Sequence, residues 1–170
     1  INNEAGKKLG PARIVVYDSN KKRVTDLETP SSGKFKIKSI PDGKYIINFY
    51  GPDGYGGTEN ISIDGGNRND VNPKLNPNPD QVQLKTKPTI EGASLNWRAV
   101  SGAANYIIYR DNKEITTTNQ TSYIDPVDPG DTYGYNIIVV KSDQSMGTRS
   151  ITEYGKTLMK PPENIEAEAK

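Results

Sequence analysis

Apolar and polar positions alternate with a period of two along much of the chain. In "GKFKIKSI", residues 33–40, Phe35 and Ile37 share one face while Lys34, Lys36 and Lys38 share the other, the pattern of a half-buried strand. "PDGK" at 41–44 follows as a turn, with Pro41 setting φ and Gly43 free to take a positive φ. "YIINFY" at 45–50 is then the returning strand, and "ARIVVYD" at 12–18 and "NISID" at 60–64 add two more, with loops at 19–23 and 51–57. The second half repeats the style. "ASLNWRAV" at 93–100 sets Leu95 and Trp97 against Asn96 and Arg98, and "NYIIYRD" at 105–111 turns at Asp111 and Asn112 into "KEITTT". "DPGDTYGYNIIVV" turns at Pro129 and Gly130 and carries Tyr133, Tyr135, Ile137 and Val139 down one face. No segment sustains a helical period; "ENIEAEAK" at the C-terminus is too short to be a stable helix alone.

Two proline-rich stretches divide this pattern. "NPNPD" at 76–80 holds Pro77 and Pro79, and "KPPEN" at 160–164 repeats the signal; proline breaks helices and favours extended backbone. The expected organisation is all-β: one sandwich over 1–75, a linker over 76–80, a second sandwich over 81–158, and over 159–170 a linker and the start of a further module. A short, proline-stiffened linker predicts two tandem sandwiches arranged end to end, with a small, mostly polar interface near the linker. Hydrophobic content of 32% and a mean hydropathy of -0.76 suit two thin sandwiches better than one large core. Ten tyrosines and the regular alternation argue against disorder.

Composition narrows the chemistry. Lys plus Arg is 22 and Asp plus Glu is 21, a net charge of +1, which gives no field directed at nucleic acid or an anionic membrane. The chain has no cysteine and no histidine. That removes disulfides, thiolate metal sites, the commonest zinc ligand and every Ser–His or Cys–His nucleophile system. No apolar run approaches the ~18 residues of a membrane span, so no insertion is expected. The opening at Ile1, without Met, reads as a segment of something longer.

Trp97 and Tyr106, joined through the small-residue turn "SGAAN" at 101–105, are placed to meet across a two-sheet core. "SLNW", "VSGAANYIIYRD" and "TSYIDPVDPGDTYGYNIIVV" together resemble a fibronectin type III domain of the bacterial extracellular kind, over roughly residues 79–158. The resemblance implies buried Trp97 and Tyr106, and Tyr133 as a corner tyrosine whose hydroxyl bonds back to upstream backbone. "GPARIVVYDSNKKRV", "SSGKFKIKSIPDGKYIINFYGPDGY" and "DVNPKL" resemble the prealbumin-like sandwich of carboxypeptidase regulatory-like domains and collagen-adhesin B-type repeats. The adhesin relatives form a Lys–Asn isopeptide bond beside a glutamate shortly after "GKY"; here no acid occurs between Lys44 and Pro52. The carboxypeptidase regulatory-like type is therefore favoured, with no isopeptide bond from Lys7 or Lys8. "PPENIEAEAK" resembles the opening strand of another fibronectin type III module.

Several residues carry candidate chemistry, each with a plainer reading beside it. Asp64, Asn67, Asn69 and Asp70 could surround Ca²⁺, although a polar hairpin turn explains them as well and the EF-hand spacing is missing. Tyr50 and Tyr55 could stack on a sugar, or Tyr55 could plug its own sandwich. The Lys34, Lys36 and Lys38 stripe could meet an anionic polymer, or simply be a solvated face. Asp125 and Asp128 could pose as a glycosidase carboxylate pair, but a thin sandwich offers no cleft between them. "NIS" and "NQT", at Asn60 and Asn119, match glycosylation sequons. Phe35, Ile37, Trp97, Tyr106 and Tyr133 are the expected core markers. The reading is a non-catalytic, cofactor-free, monomeric extracellular segment of a larger secreted or cell-surface protein, serving as spacer, adhesion or interaction region. Its expected partners are neighbouring modules of the same parent chain and cell-wall or extracellular polysaccharide or protein. The alternative is the accessory, carbohydrate-binding region of a secreted hydrolase whose catalytic domain lies elsewhere.

Overall fold

The computed structural model describes residues 2, 3, 9–65, 71, 73–75, 77, 78 and 80–161, with Asn2, Asn3, Asp53 and Lys74 described by their backbone alone. The expected further module at 162–170 lies outside them, as do Lys7 and Lys8. Among the described residues, every regular element longer than one turn is a strand.

The first sandwich is built on β1 (Asn2–Asn3), β2 (Arg13–Asp18), β3 (Arg23–Glu28), β4 (Gly43–Tyr50), β5 (Gly56–Ile63) and β6 (Lys74–Leu75). Four of these form an antiparallel sheet in the order β3-β2-β4-β5, and β1 pairs with β6 in parallel. The inner face of the larger sheet carries Ile14, Val16, Tyr45, Ile47 and Phe49, closed from the other side by Leu75 and by the partly buried Phe35, Ile37 and Ile40.

The stretch 33–40 differs from expectation. Its burial alternates as read from sequence, yet it joins no ladder. Gly33 and Ser39 turn the backbone near its two ends with positive φ of 67° and 58°. The segment lies over the sheet as a lid, with the Phe35 ring edge-on to Phe49 at 6.0 Å. Alternation records which face is buried, not whether a neighbouring strand supplies hydrogen bonds. Lys34, Lys36 and Lys38 all face solvent.

The second sandwich contains β7 (Lys85–Pro88), β8 (Ala93–Asn96), β9 (Ala103–Arg110), β10 (Lys113–Thr118), β11 (Ser122–Asp125), β12 (Tyr133–Lys141) and β13 (Glu153–Gly155). They form a three-stranded sheet β11-β8-β7 facing a four-stranded sheet β10-β9-β12-β13, the immunoglobulin-like architecture that fibronectin type III domains share. Leu95, Ile108, Tyr135, Ile137 and Val139 fill the space between the sheets. Trp97 and Tyr106 meet edge to face, with ring centroids 5.4 Å apart and planes at 69°. The Tyr106 hydroxyl accepts a hydrogen bond from Val100 N at 3.0 Å, which fastens the turn between them.

Tyr133 does not take the corner role. It lies half-buried at the rim of this core, and its hydroxyl faces the Asp131 carboxylate at 3.4 Å instead of upstream backbone. Tyr135, two residues on, is the fully buried ring. Its hydroxyl donates to Asp125 at 2.8 Å, and Asp125 also accepts from Arg110 Nη1 at 2.9 and 3.0 Å. The deeper of two same-face tyrosines is the one that needs a buried partner.

The end-to-end arrangement is also corrected. The sandwiches are packed side on, because the outward face of the first sheet is apolar as well. Val15, Tyr17 and Tyr50 are buried there and pack with Ile46, Ile151 and Tyr154. They lie across the edge where β7 and β13 border the two sheets of the second sandwich. Those two edge strands would otherwise present open backbone; a sheet face covers them. The linker follows the seam: Asn78 N donates to Gly54 O at 3.2 Å, and Lys141 pairs with Asp80 at 2.7 Å.

Candidate functional site

The most heavily organised group of polar side chains sits in this seam. β2 presents Arg13, Val15 and Tyr17 outward, because residues two apart share a face. The register sets Asn48 opposite Val15 on β4 and Asp26 opposite it on β3, so Tyr50, Asn48 and Asp26 join the same surface. Opposite them, the side chain of Glu153 on β13 is fully buried.

Glu153 is the hub. The Tyr17 hydroxyl donates to its Oε2 at 2.7 Å, and the Tyr50 hydroxyl donates to its Oε1. Arg23 and Arg13 approach Oε2 at 3.5 and 3.6 Å. Arg13 is itself held by Asp26 at 2.8 and 2.9 Å, stacks over the Tyr50 ring at 5.1 Å, and donates to Leu84 O in the second sandwich at 3.3 Å. Arg23 donates to Thr86 Oγ1 at 2.6 Å, and that hydroxyl donates on to Tyr154 O at 2.7 Å. Asn48 Nδ2 reaches Thr152 O at 2.9 Å. The Tyr17 and Tyr154 rings meet at 5.0 Å and 78°.

Electrostatics follow from this enclosure. Burial, and after it the Glu153 carboxylate, pushes the Tyr17 hydroxyl far above its ordinary 10.0, and the same two causes raise Tyr50 well above that value. Both phenols therefore stay protonated and serve as donors. Burial alone would lower Arg13, but its Asp26 bond and the nearby Glu153 hold it above its ordinary value. A buried carboxylate with two hydroxyl donors and two guanidiniums is a structural clamp: with its oxygens fully enclosed, no reactant can reach it.

The sequence candidates are dispersed by the fold. Tyr50 is buried at 5% exposure with its hydroxyl on Glu153, so it cannot stack on a sugar. Tyr55 packs onto the core of its own sandwich. Asp64 is exposed just beyond β5, whereas Asn67, Asn69 and Asp70 lie outside the described residues. Asp125 is buried in its bonds to Arg110 and Tyr135, while Asp128 stays exposed. Among the described residues, no group of three or more Asp or Glu gathers as a metal site.

Sequence reasoning missed Glu153, Tyr17 and Arg13, although a signal existed. "RIVVYD" is not alternating; β2 is buried on both faces. A continuous apolar run of that length marks a strand covered on two sides.

Open grooves flank the clamp. One, of about 670 Å³, runs between Arg13, Glu28 and Tyr50 on one side and Gln83, Lys85 and Arg98 on the other. The second, of about 420 Å³, lies between the β4–β5 surface and residues 149–154.

No protein-family model and no curated protein matches this sequence. Among solved structures, the chain is similar to a beta-1,2-glucanase from Parabacteroides distasonis, with 14% identity and a TM-score of 0.43 over 94% of this chain and 27% of that one. It is also similar to the central fibronectin-III array of RIM-binding protein, with 14% identity and a TM-score of 0.29 over 88% of this chain and 54% of that one. The chain thus spans about a quarter of the first structure and about half of the second.

Proposed function

We propose that this chain is a non-catalytic, two-module segment of a larger secreted or cell-surface protein, and that it acts as a rigid spacer and interaction region. The observation that carries this reading is the Glu153 clamp, in which four side chains of the first module converge on one buried carboxylate of the second. A flexible tether would have no use for such a joint, whereas a spacer that must hold an angle requires one. The lack of histidine and cysteine, and the commitment of Asp125 and Glu153 to buried partners, support the non-catalytic part. The first module is, in this proposal, of the carboxypeptidase regulatory-like type, and the natural partners are further modules of the same parent chain.

NMR relaxation of backbone amides tests the spacer role. Both modules should tumble with one correlation time and one diffusion axis, while two independent times would defeat the reading. Screens with ester, peptide and glycoside substrates should give no turnover; turnover lost on a single substitution would show catalysis. A second reading, as the accessory region of a hydrolase, draws on the polar grooves along the seam.

A further inference from the structure

The smaller groove is lined by residues of both modules, so it exists only while they are docked. Its floor holds the half-buried side chains of Ile46 and Ile151, with the Tyr154 ring beside them. Its rim holds Asn60, Asn112 and Arg149. Among the described residues no carboxylate lines it, and Arg149 is the only cation that does. That guanidinium lies 4.1 Å over the Tyr109 ring and donates from Nη1 to Asn112 Oδ1 at 3.0 Å, so it is fixed in place and its charge is already engaged. Asp111 lies close by, where one oxygen of its carboxylate accepts from Gly134 N at 2.9 Å.

Polar groups deeper in the groove are satisfied within the fold: Asn48 bonds Thr152 O and Thr58, and Asn136 bonds Ser150 O and Thr152. On the rim, among the described residues, the Asn60 amide, Asn112 Nδ2 and the Tyr154 hydroxyl make no hydrogen bond within the fold. The result is a small apolar floor surrounded by planar amides and a stacked guanidinium. A side-chain amide offers a donor and an acceptor side by side, which matches vicinal hydroxyls, and the apolar floor matches the C–H face of a pyranose ring. A volume of about 420 Å³ lies within the usual range for small-ligand sites.

We propose that this groove binds a neutral oligosaccharide, with Asn60, Asn112 and Arg149 reading ring hydroxyls and Ile46, Ile151 and Tyr154 forming the platform. Ionic ligands fit less well: Arg149 is the only charged residue among the described ones that line the groove, and the two charges beside it, Lys21 over the Tyr154 ring at 5.6 Å and Asp111, are of opposite sign and oppose one another. This goes beyond spacing, and failure to bind sugar would leave the spacer reading untouched.

The test is an amide NMR titration of the intact chain with short cello-, laminari-, manno- and xylo-oligosaccharides, with oligogalacturonate as a separate arm. A neutral oligosaccharide should give saturable shifts clustered at residues 58–60, 109–112 and 149–154. Asn60→Ala and Asn112→Gly should each weaken binding by at least about tenfold with little change in melting temperature. Glycine suits position 112, because Asn112 has a positive φ of 68°. No shift with any neutral sugar at millimolar concentration, shifts mapping elsewhere, or binding of oligogalacturonate alone would each overturn the proposal.

Discussion

Replacing Glu153 by alanine removes the acceptor on which the seam converges. The Tyr17 and Tyr50 hydroxyls lose their partner in a site closed to water, and each buried unsatisfied hydroxyl costs about 1–3 kcal/mol. Arg13 retains Asp26 and Leu84 O, and Arg23 retains Thr86. The cations are therefore not orphaned, and the total should fall near 3–5 kcal/mol, as for other buried networks broken on one side. Glu153→Gln keeps the volume and one carbonyl oxygen while giving up the charge-assisted part of each bond, so about 1–2 kcal/mol is expected. Chemical denaturation followed by fluorescence is well suited, because Trp97 is the only tryptophan and reports on the second module alone. Near-ultraviolet tyrosine signals report on both modules. Wild type should unfold in one transition by both probes. In the alanine variant the midpoint should fall and the two probes should separate. Tyr50→Phe should be costly in the wild type and nearly free in the Glu153→Ala background, a coupling of about 1 kcal/mol or more. If Glu153→Ala stays within about 0.5 kcal/mol of wild type, the clamp does not hold the modules and the reasoning fails.

Trp97→Ala should cost about 3–5 kcal/mol, since it empties a large ring from a small core against Tyr106; an unchanged melting temperature would contradict the packing. Tyr17, Tyr50 and Tyr135 all have hydroxyls raised above 10.0 by burial first and a carboxylate next. Groups raised on folding contribute stability that is fully present below their unfolded value and lost as pH rises toward the folded one. Stability should therefore hold through neutral pH and decline from about pH 10 upward, with tyrosinate absorbance appearing together with unfolding. Titration of these three phenols near pH 10.0 in a chain that stays folded would count against their burial.

Local pattern carried much of the fold. The strands on either side of "SGAAN" and the Trp97–Tyr106 contact were legible because a period of two and one small-residue turn suffice to place them. The lid at 33–40 reads as a strand because its alternation is real, although no ladder accompanies it. Tyr133 and Tyr135 share a face, and only the position of Asp125 in three dimensions decides which hydroxyl is buried. Glu153 was silent: "ITEYG" is a short edge segment, and its partners Tyr17 and Tyr50 are 136 and 103 residues away. The run "RIVVYD" did announce a second buried face, but not what would cover it. The end-to-end expectation treated the prolines as decisive, whereas two apolar surfaces and two bare strand edges outweigh a linker's stiffness.

Small-angle scattering of the intact chain tests the side-on clamp most directly. Two sandwiches, each near 12 Å in radius of gyration, give about 16–18 Å for the whole when packed side by side, whereas the same two in line, separated by a sandwich length, give above about 21 Å. The clamp predicts the compact value, with a single-peaked distance distribution that broadens in Glu153→Ala. An elongated, double-peaked profile for the wild type would contradict the docked arrangement and the spacer geometry built on it.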